Sequence, residues 1–185
     1  MRYFAMIAVC GFSIGCGREV PVTPKERLKG ATEALVKAKS DQEKFYALNE
    51  AAKQSFDLGN FDDAKKYADE LLVLSVKFPK DWNFGNAVHD GNVVLGRIAV
   101  KDGRVEDAKR YLLEAGKTPG SPQLGSFGPN VTLAKDLLDK GERDVVVEYF
   151  GLCRGFWKMD NGRLDQWSKN VKDGKTPDFG PNLAY

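Results

Sequence analysis

The sequence predicts an all-α fold in which about three helical hairpins stack as a solenoid between flanking helices. The first observation is a ten-residue phrase that occurs three times: LGNFDDAKKY at 58–67, DGRVEDAKRY at 102–111 and KGERDVVVEY at 140–149. Aligning Gly59, Gly103 and Gly141 places an acid three residues on (Asp62, Glu106, Asp144), Ala64, Ala108 or Val146 five on, and a tyrosine eight on. Copies 44 and then 38 residues apart are the mark of a repeat array, because one hairpin cannot bury its apolar face alone. The second observation is the seam around each glycine. Seven residues before it stand Ala52, Gly96 and Ala134, all small, and twelve after it Leu71, Ala115 and Cys153, so two helices can approach closely at the corner. The third is helical spacing of the apolar residues on either side.

Taken in order, GREVPVT at 17–23 has a proline and no periodicity, as a tether would. Thr23-Pro24 opens the first helix, a capping hydroxyl followed by proline at the first helical position, and Leu28, Ala31, Leu35 and Ala38 give it one apolar stripe. A second helix is expected over 41–58, with Phe45, Leu48, Ala51, Ala52 and Phe56 inward. Gly59 ends it, since a left-handed corner suits a residue without Cβ. A third helix should run over 61–78 and stop before Pro79. The next pair falls at 86–101 and 105–115 around Gly103. KTPGSPQLGSFG at 117–128 reads as a long connection to a third pair at 129–140 and 143–158, and a capping helix follows at 163–172 with Leu164, Trp167 and Val171 on one side. Replacement of Gly103 by valine is expected to destabilise the domain by more than about 1 kcal/mol, and the same change at Gly174 to matter less. The segment 176–185 has two prolines and little helical character.

These corners resemble the tetratricopeptide repeat (TPR) family. Its signature pairs a large apolar and a small residue on the first helix with a corner glycine, an alanine five later and an apolar residue twelve later. Leu95-Gly96-Gly103-Ala108-Ala115 matches best, Ala51-Ala52-Gly59-Ala64-Leu71 next, and Leu133-Ala134-Gly141-Val146-Cys153 least. The resemblance spans about 47–157 and implies protein or peptide partners held in a concave groove lined by the first helix of each hairpin. The repeat spacing exceeds the family's usual length, so the connections are longer.

The domain organisation follows: a signal at 1–15, a tether at 16–23, a helical repeat domain at 24–175 and a tail at 176–185. Arg2, an apolar run at 4–14 and Gly15-Cys16 have the order of a secretory signal. The run is shorter than the ~20 residues a bilayer span needs. Ser13-Ile14-Gly15-Cys16 resembles the bacterial lipoprotein signal, which implies that Cys16 is lipidated and the protein anchored at the cell envelope, facing the periplasm or outside. Ser13 stands where that pattern prefers a large aliphatic residue. A signal cleaved without lipidation, giving a secreted protein, and an uncleaved anchor are the alternatives. Cys10 would be lost with the signal, leaving Cys153 without a disulfide partner.

Composition and motifs exclude several function classes. With 28 basic and 26 acidic residues interspersed, the net charge of +2 offers no basic stripe for nucleic acid. Gly116-Lys117-Thr118 lacks the glycine and the preceding strand of a phosphate loop, because Tyr111 stands where that glycine belongs. Asp178-Phe179-Gly180 has no catalytic-loop partner. It reads instead with Phe127-Gly128-Pro129-Asn130, which Phe179-Gly180-Pro181-Asn182 repeats, both phenylalanines being expected to pack on the preceding hairpin over a glycine turn. His89, the one histidine, reads as structural, and no cysteine pair or carboxylate set supplies a zinc site. No cofactor and no catalytic residue is expected.

One column is a candidate binding site. Six residues before each corner glycine stand Lys53, Arg97 and Lys135, a ladder that would line the groove with Tyr46, Asn49, Val93 and Val131 beside it. The expected function is non-catalytic capture of a protein or peptide, acidic or carboxylate-bearing segments among the candidates. A passive, self-assembling envelope lipoprotein is the runner-up, and a small envelope enzyme a third.

Overall fold

The computed structural model describes residues 22–183, and over them the chain is helical throughout, with no strand. The signal, most of the tether and Cys16 lie outside the described residues. Helix α1 (Pro24–Lys37) starts at Thr23 as the threonine-proline pair predicts. Glu26 completes a capping box: its carboxylate accepts from the Thr23 backbone N–H (2.8 Å), and its own N–H donates to Thr23 Oγ1 (3.3 Å). Ser40 caps α2 (Asp41–Asp57) by accepting from Glu43 N–H at 3.2 Å, while the Glu43 carboxylate accepts from Lys39 N–H.

Three hairpins follow, each a first helix, a glycine corner and a second helix. They are α2 with α3 (Phe61–Ser75), α4 (Phe84–Lys101) with α5 (Val105–Gly116), and α7 (Thr132–Leu138) with α8 (Arg143–Cys153). Gly59, Gly103 and Gly141 have φ of 81°, 76° and 87°. At each corner the residue after the glycine donates back five positions, Asn60 to Ser55, Arg104 to Ala99 and Glu142 to Leu137, so orphan helix carbonyls are paired. The bond recurs after α9 (Arg163–Lys172), where Lys175 N–H reaches Asn170 O at 2.8 Å and Gly174 has φ 79°. Gly174 is therefore a fourth corner of the same kind, which removes the ground for expecting a substitution there to matter less than at Gly103.

First helices pack on one another, α2 on α4 and α4 on α7, while α5 packs on α8; α1 covers the start of the stack and α9 its end. The repeat positions are the core. Ala64, Ala108, Val146, Leu71, Ala115 and Cys153 are all fully buried. Gly96 shows why the small residue before a corner matters: a Cβ there would lie 2.2 Å from Leu133 Cδ2, so only glycine lets α4 and α7 come this close undisturbed. The largest cluster runs from α5 to α9 around Leu112, Leu137, Tyr149, Phe150, Trp157 and Trp167.

Departures from the sequence reading lie between the hairpins. Helix α3 stops at Ser75, three residues early, and α8 ends at Cys153, where Phe156 and Trp157 turn inward instead of extending the helix. The connection at 117–128 holds a short helix, α6 (Pro122–Phe127), capped by Ser121. It is pinned to α4: Thr118 Oγ1 donates to Gly85 O (2.8 Å) and Ser121 Oγ to Asn86 Oδ1 (2.6 Å). The two Phe-Gly-Pro-Asn copies differ from expectation and meet each other. Phe179 is buried against Phe150 and Trp167, but Phe127 is 68% exposed. Asn182, in the closing 3-10 turn Gly180–Leu183, donates from Nδ2 to Phe127 O and Pro129 O, and Val131 N–H donates to Asn182 O. The tail is thereby stitched to the start of α7.

Candidate functional site

Helices α1, α2, α4 and α7 and the closing turn converge on a cavity of about 280 Å³. Helix periodicity positions its walls. Lys53, Gln54 and Asp57 project from one face of α2, and Asp90, Val93, Val94 and Arg97 from one face of α4, so the two rows meet along the α2–α4 contact. Arg27 from α1 and Asn130 and Thr132 at the start of α7 close the rim.

Along the column of bases, each cation has an acid at hand. Lys53 Nζ lies 3.4 Å from Asp90 Oδ2 and 3.8 Å from Glu50. Arg97 donates from Nε to Asp136 Oδ2 at 2.9 Å, approaches Asp57 at 3.8 Å, and stacks its guanidinium 4.2 Å from the centre of the Phe56 ring. Lys135 pairs with Asp139 at 2.7 Å and does not line the cavity. Lys53, Val93 and Arg97 are thus brought together in the narrow inner part of the groove. Asn49 sits one turn away on α2, 8% exposed, with Oδ1 lacking a donor. Val131 is fully buried and belongs to the core. Tyr46 stands elsewhere, its hydroxyl donating to Asp81 Oδ2 at 2.6 Å and its ring stacked on Trp82.

Behind this wall runs a buried polar chain. Asp90 Oδ1 meets His89 Nδ1 at 2.8 Å, and His89 Nε2 meets the Tyr149 hydroxyl of α8 at 3.1 Å. Burial alone would raise the Asp90 carboxyl, but Lys53 and the His89 contact outweigh it and hold the group well below the usual carboxylate range. Burial likewise works against the Lys53 cation, yet Asp90 and Glu50 keep its ammonium above the ordinary lysine value. An acid–imidazole–hydroxyl sequence is also how hydrolases arm a nucleophile. Here the His89 and Tyr149 side chains are wholly enclosed, so the arrangement ties α2, α4 and α8 together. Cys153, equally enclosed, has its thiol pushed up by burial, away from the reactive thiolate. Among the described residues no three His, Cys, Asp or Glu side chains converge as metal ligands, and no helix is long and apolar enough to cross a membrane.

Sequence spacing does not single out Arg27, Gln54, Asp57, Asp90, Asn130 or Thr132. The available signal is the run HDGN inside the otherwise apolar AVHDGNVVLG of α4, four polar or small residues where a buried helix should be greasy. In comparisons with known proteins, no family model, no curated protein and no solved structure matches the chain significantly.

Proposed function

We propose that the chain is a non-catalytic binding module that holds an extended segment of a partner protein in the groove between α1, α2, α4 and α7, and that a lipid on Cys16 tethers it at the cell envelope. The observation that carries this reading is Gln54. It is 5% exposed, it lines the groove, and its Oε1 has no donor among the described residues. A buried acceptor left open costs about 1–3 kcal/mol, and a peptide backbone N–H laid along the groove would satisfy it. Arg27, about half exposed and only 3.9 Å from Glu50, and Arg97 at the cavity wall can take an acidic side chain of that segment. The pairing of Arg97 with Asp57 and Asp136 makes the groove mixed in charge, so recognition combines one or two acids with backbone hydrogen bonds instead of relying on bulk positive potential.

The resemblance of the corners to TPR repeats supports the same reading, as does the enclosure of His89 and Tyr149, which keeps that hydroxyl out of the groove. The experiment is a charge exchange at two half-exposed positions. Wild-type protein, Arg27→Glu and Asp57→Lys serve as baits in a detergent-solubilised envelope, with bound proteins identified by mass spectrometry. The expected result is a defined partner whose capture falls with Arg27→Glu, holds or rises with Asp57→Lys, and weakens with salt. Equal capture by all three baits, or self-association as the sole interaction, contradicts the proposal.

A further inference from the structure

A second cavity, of about 450 Å³, lies at the far end of the stack between α6, the turn before α9 and the closing 3-10 turn. Its volume falls in the ~300–1,000 Å³ range of small-ligand sites. Two features set it apart from a solvated cleft. Its apolar walls are Phe127 and Met159, 68% and 61% exposed, large side chains that the core leaves out although Phe179, the repeat counterpart of Phe127, is buried. Its formal charge is Arg163 alone among the lining residues.

Arg163 has no carboxylate partner among the described residues. The nearby acids are engaged elsewhere: Asp160 accepts from Leu164 N–H, Asp165 pairs with Arg154, and Asp178 accepts from Gly180 N–H. Arg163 also opens α9, where the unpaired N–H groups of a helix start add to the positive potential, and the N-cap is Gly162, which has no side chain to offer them. The backbone that presents it is strained: Asn161 has φ 52°, the one left-handed non-glycine among the described residues. Finally, Asn182 lines the cavity at 1% exposure. Its Nδ2 is held by Phe127 O and Pro129 O, while its Oδ1 has no donor among the described residues.

We infer that this cavity binds the apolar C-terminal residue of a peptide: the free carboxylate on Arg163, the side chain between Phe127 and Met159, and an amide N–H toward the open Asn182 acceptor. The cation alone would suit any anion. The apolar walls require a ligand with a hydrophobic body, and an acceptor with no donor requires an N–H near the carboxylate, which an alkyl acid does not have. The site is separate from the groove and stands or falls independently of it.

The test is calorimetric titration of the full chain with acetyl-Gly-Phe, with acetyl-Gly-Phe-amide and with octanoate. Loss of a charge-assisted hydrogen bond weakens binding by about tenfold or more. The expected pattern is binding of the free acid, at least tenfold weaker binding of the amide, and the same loss for the acid against Arg163→Gln. Phe127→Ala, which removes an exposed ring and so leaves the fold intact, weakens both acid and amide, and Arg27→Glu changes nothing. Equal affinity for acid and amide, octanoate binding as tightly as the peptide, or no binding of any probe by a protein with wild-type helicity would overturn the assignment.

Discussion

Gly128→Ala is the substitution for which the structure makes the sharpest demand. Gly128 has φ 87° and ψ −177°, a region that only glycine populates freely, and an added Cβ would fall 2.4–2.6 Å from three atoms of the Trp157 ring. Trp157 is 2% exposed and packed on Trp167, so the ring cannot swing aside. Backbone strain contributes about 1–3 kcal/mol and overpacking about 1–3 kcal/mol, for a loss of about 2–6 kcal/mol. Gly103→Ala is the matched control. Its φ of 76° is as unfavourable, but no atom lies within 4 Å of the added Cβ, so strain alone remains, about 1–2 kcal/mol. In a domain of this size one kcal/mol shifts the melting temperature by about 2–4 °C. Thermal melts followed by circular dichroism should therefore show a Gly128→Ala shift about twice that of Gly103→Ala or more. Equal shifts would refute the close approach of this turn to Trp157, and with it the stitching of the two Phe-Gly-Pro-Asn segments.

Because the Asp90 carboxyl is held below its unfolded value of about 3.9, its contribution is fully present above that pH and is lost as pH falls through its folded value. The stability gap between wild type and Asp90→Asn in urea titrations should be widest near neutrality and shrink below about pH 4; a constant gap down to pH 3 would show that Asp90 is not the ionised partner of Lys53. Gly174→Val should lower the melting temperature about as much as Gly103→Val, since the two glycines share φ near 80° and the same capping bond, and a markedly smaller loss at Gly174 would remove it from the set of corners. Metabolic labelling with a fatty-acid probe should tag the protein through Cys16, several acyl chains giving firm anchorage where one gives little, and Cys16→Ser should abolish the tag; an exported but untagged wild type would rule out the anchor.

The corners were legible in the sequence because they are local. A glycine must take the left-handed turn wherever it falls, the helical period sorts core from surface, and the repeated phrase sets both in register at Gly59, Gly103 and Gly141. The start of α1 at Thr23, set by a capping hydroxyl, follows from the same local chemistry. What the sequence left hidden depends on residues far apart in the chain. Lys53, Arg97 and Lys135 share a repeat position, but nothing within one repeat shows that Asp90 and Asp136 stand opposite the first two on neighbouring helices. Helix α6 owes its place to hydrogen bonds with Gly85 and Asn86, more than thirty residues earlier. Phe127 and Phe179 are followed by the same Gly-Pro-Asn and lie in opposite environments, because the later copy folds over the earlier one and takes the buried position.

The proposed groove is tested most directly by site-specific photo-crosslinking of the full chain in a cell-envelope preparation. A crosslinking side chain at position 27, on the groove rim, is compared with one at position 73, on the outer face of α3, where Val73 is 66% exposed. A discrete crosslinked partner is expected at position 27 and none at position 73. Crosslinks at position 73 alone, or at neither position in a protein that still captures its partner, would contradict it.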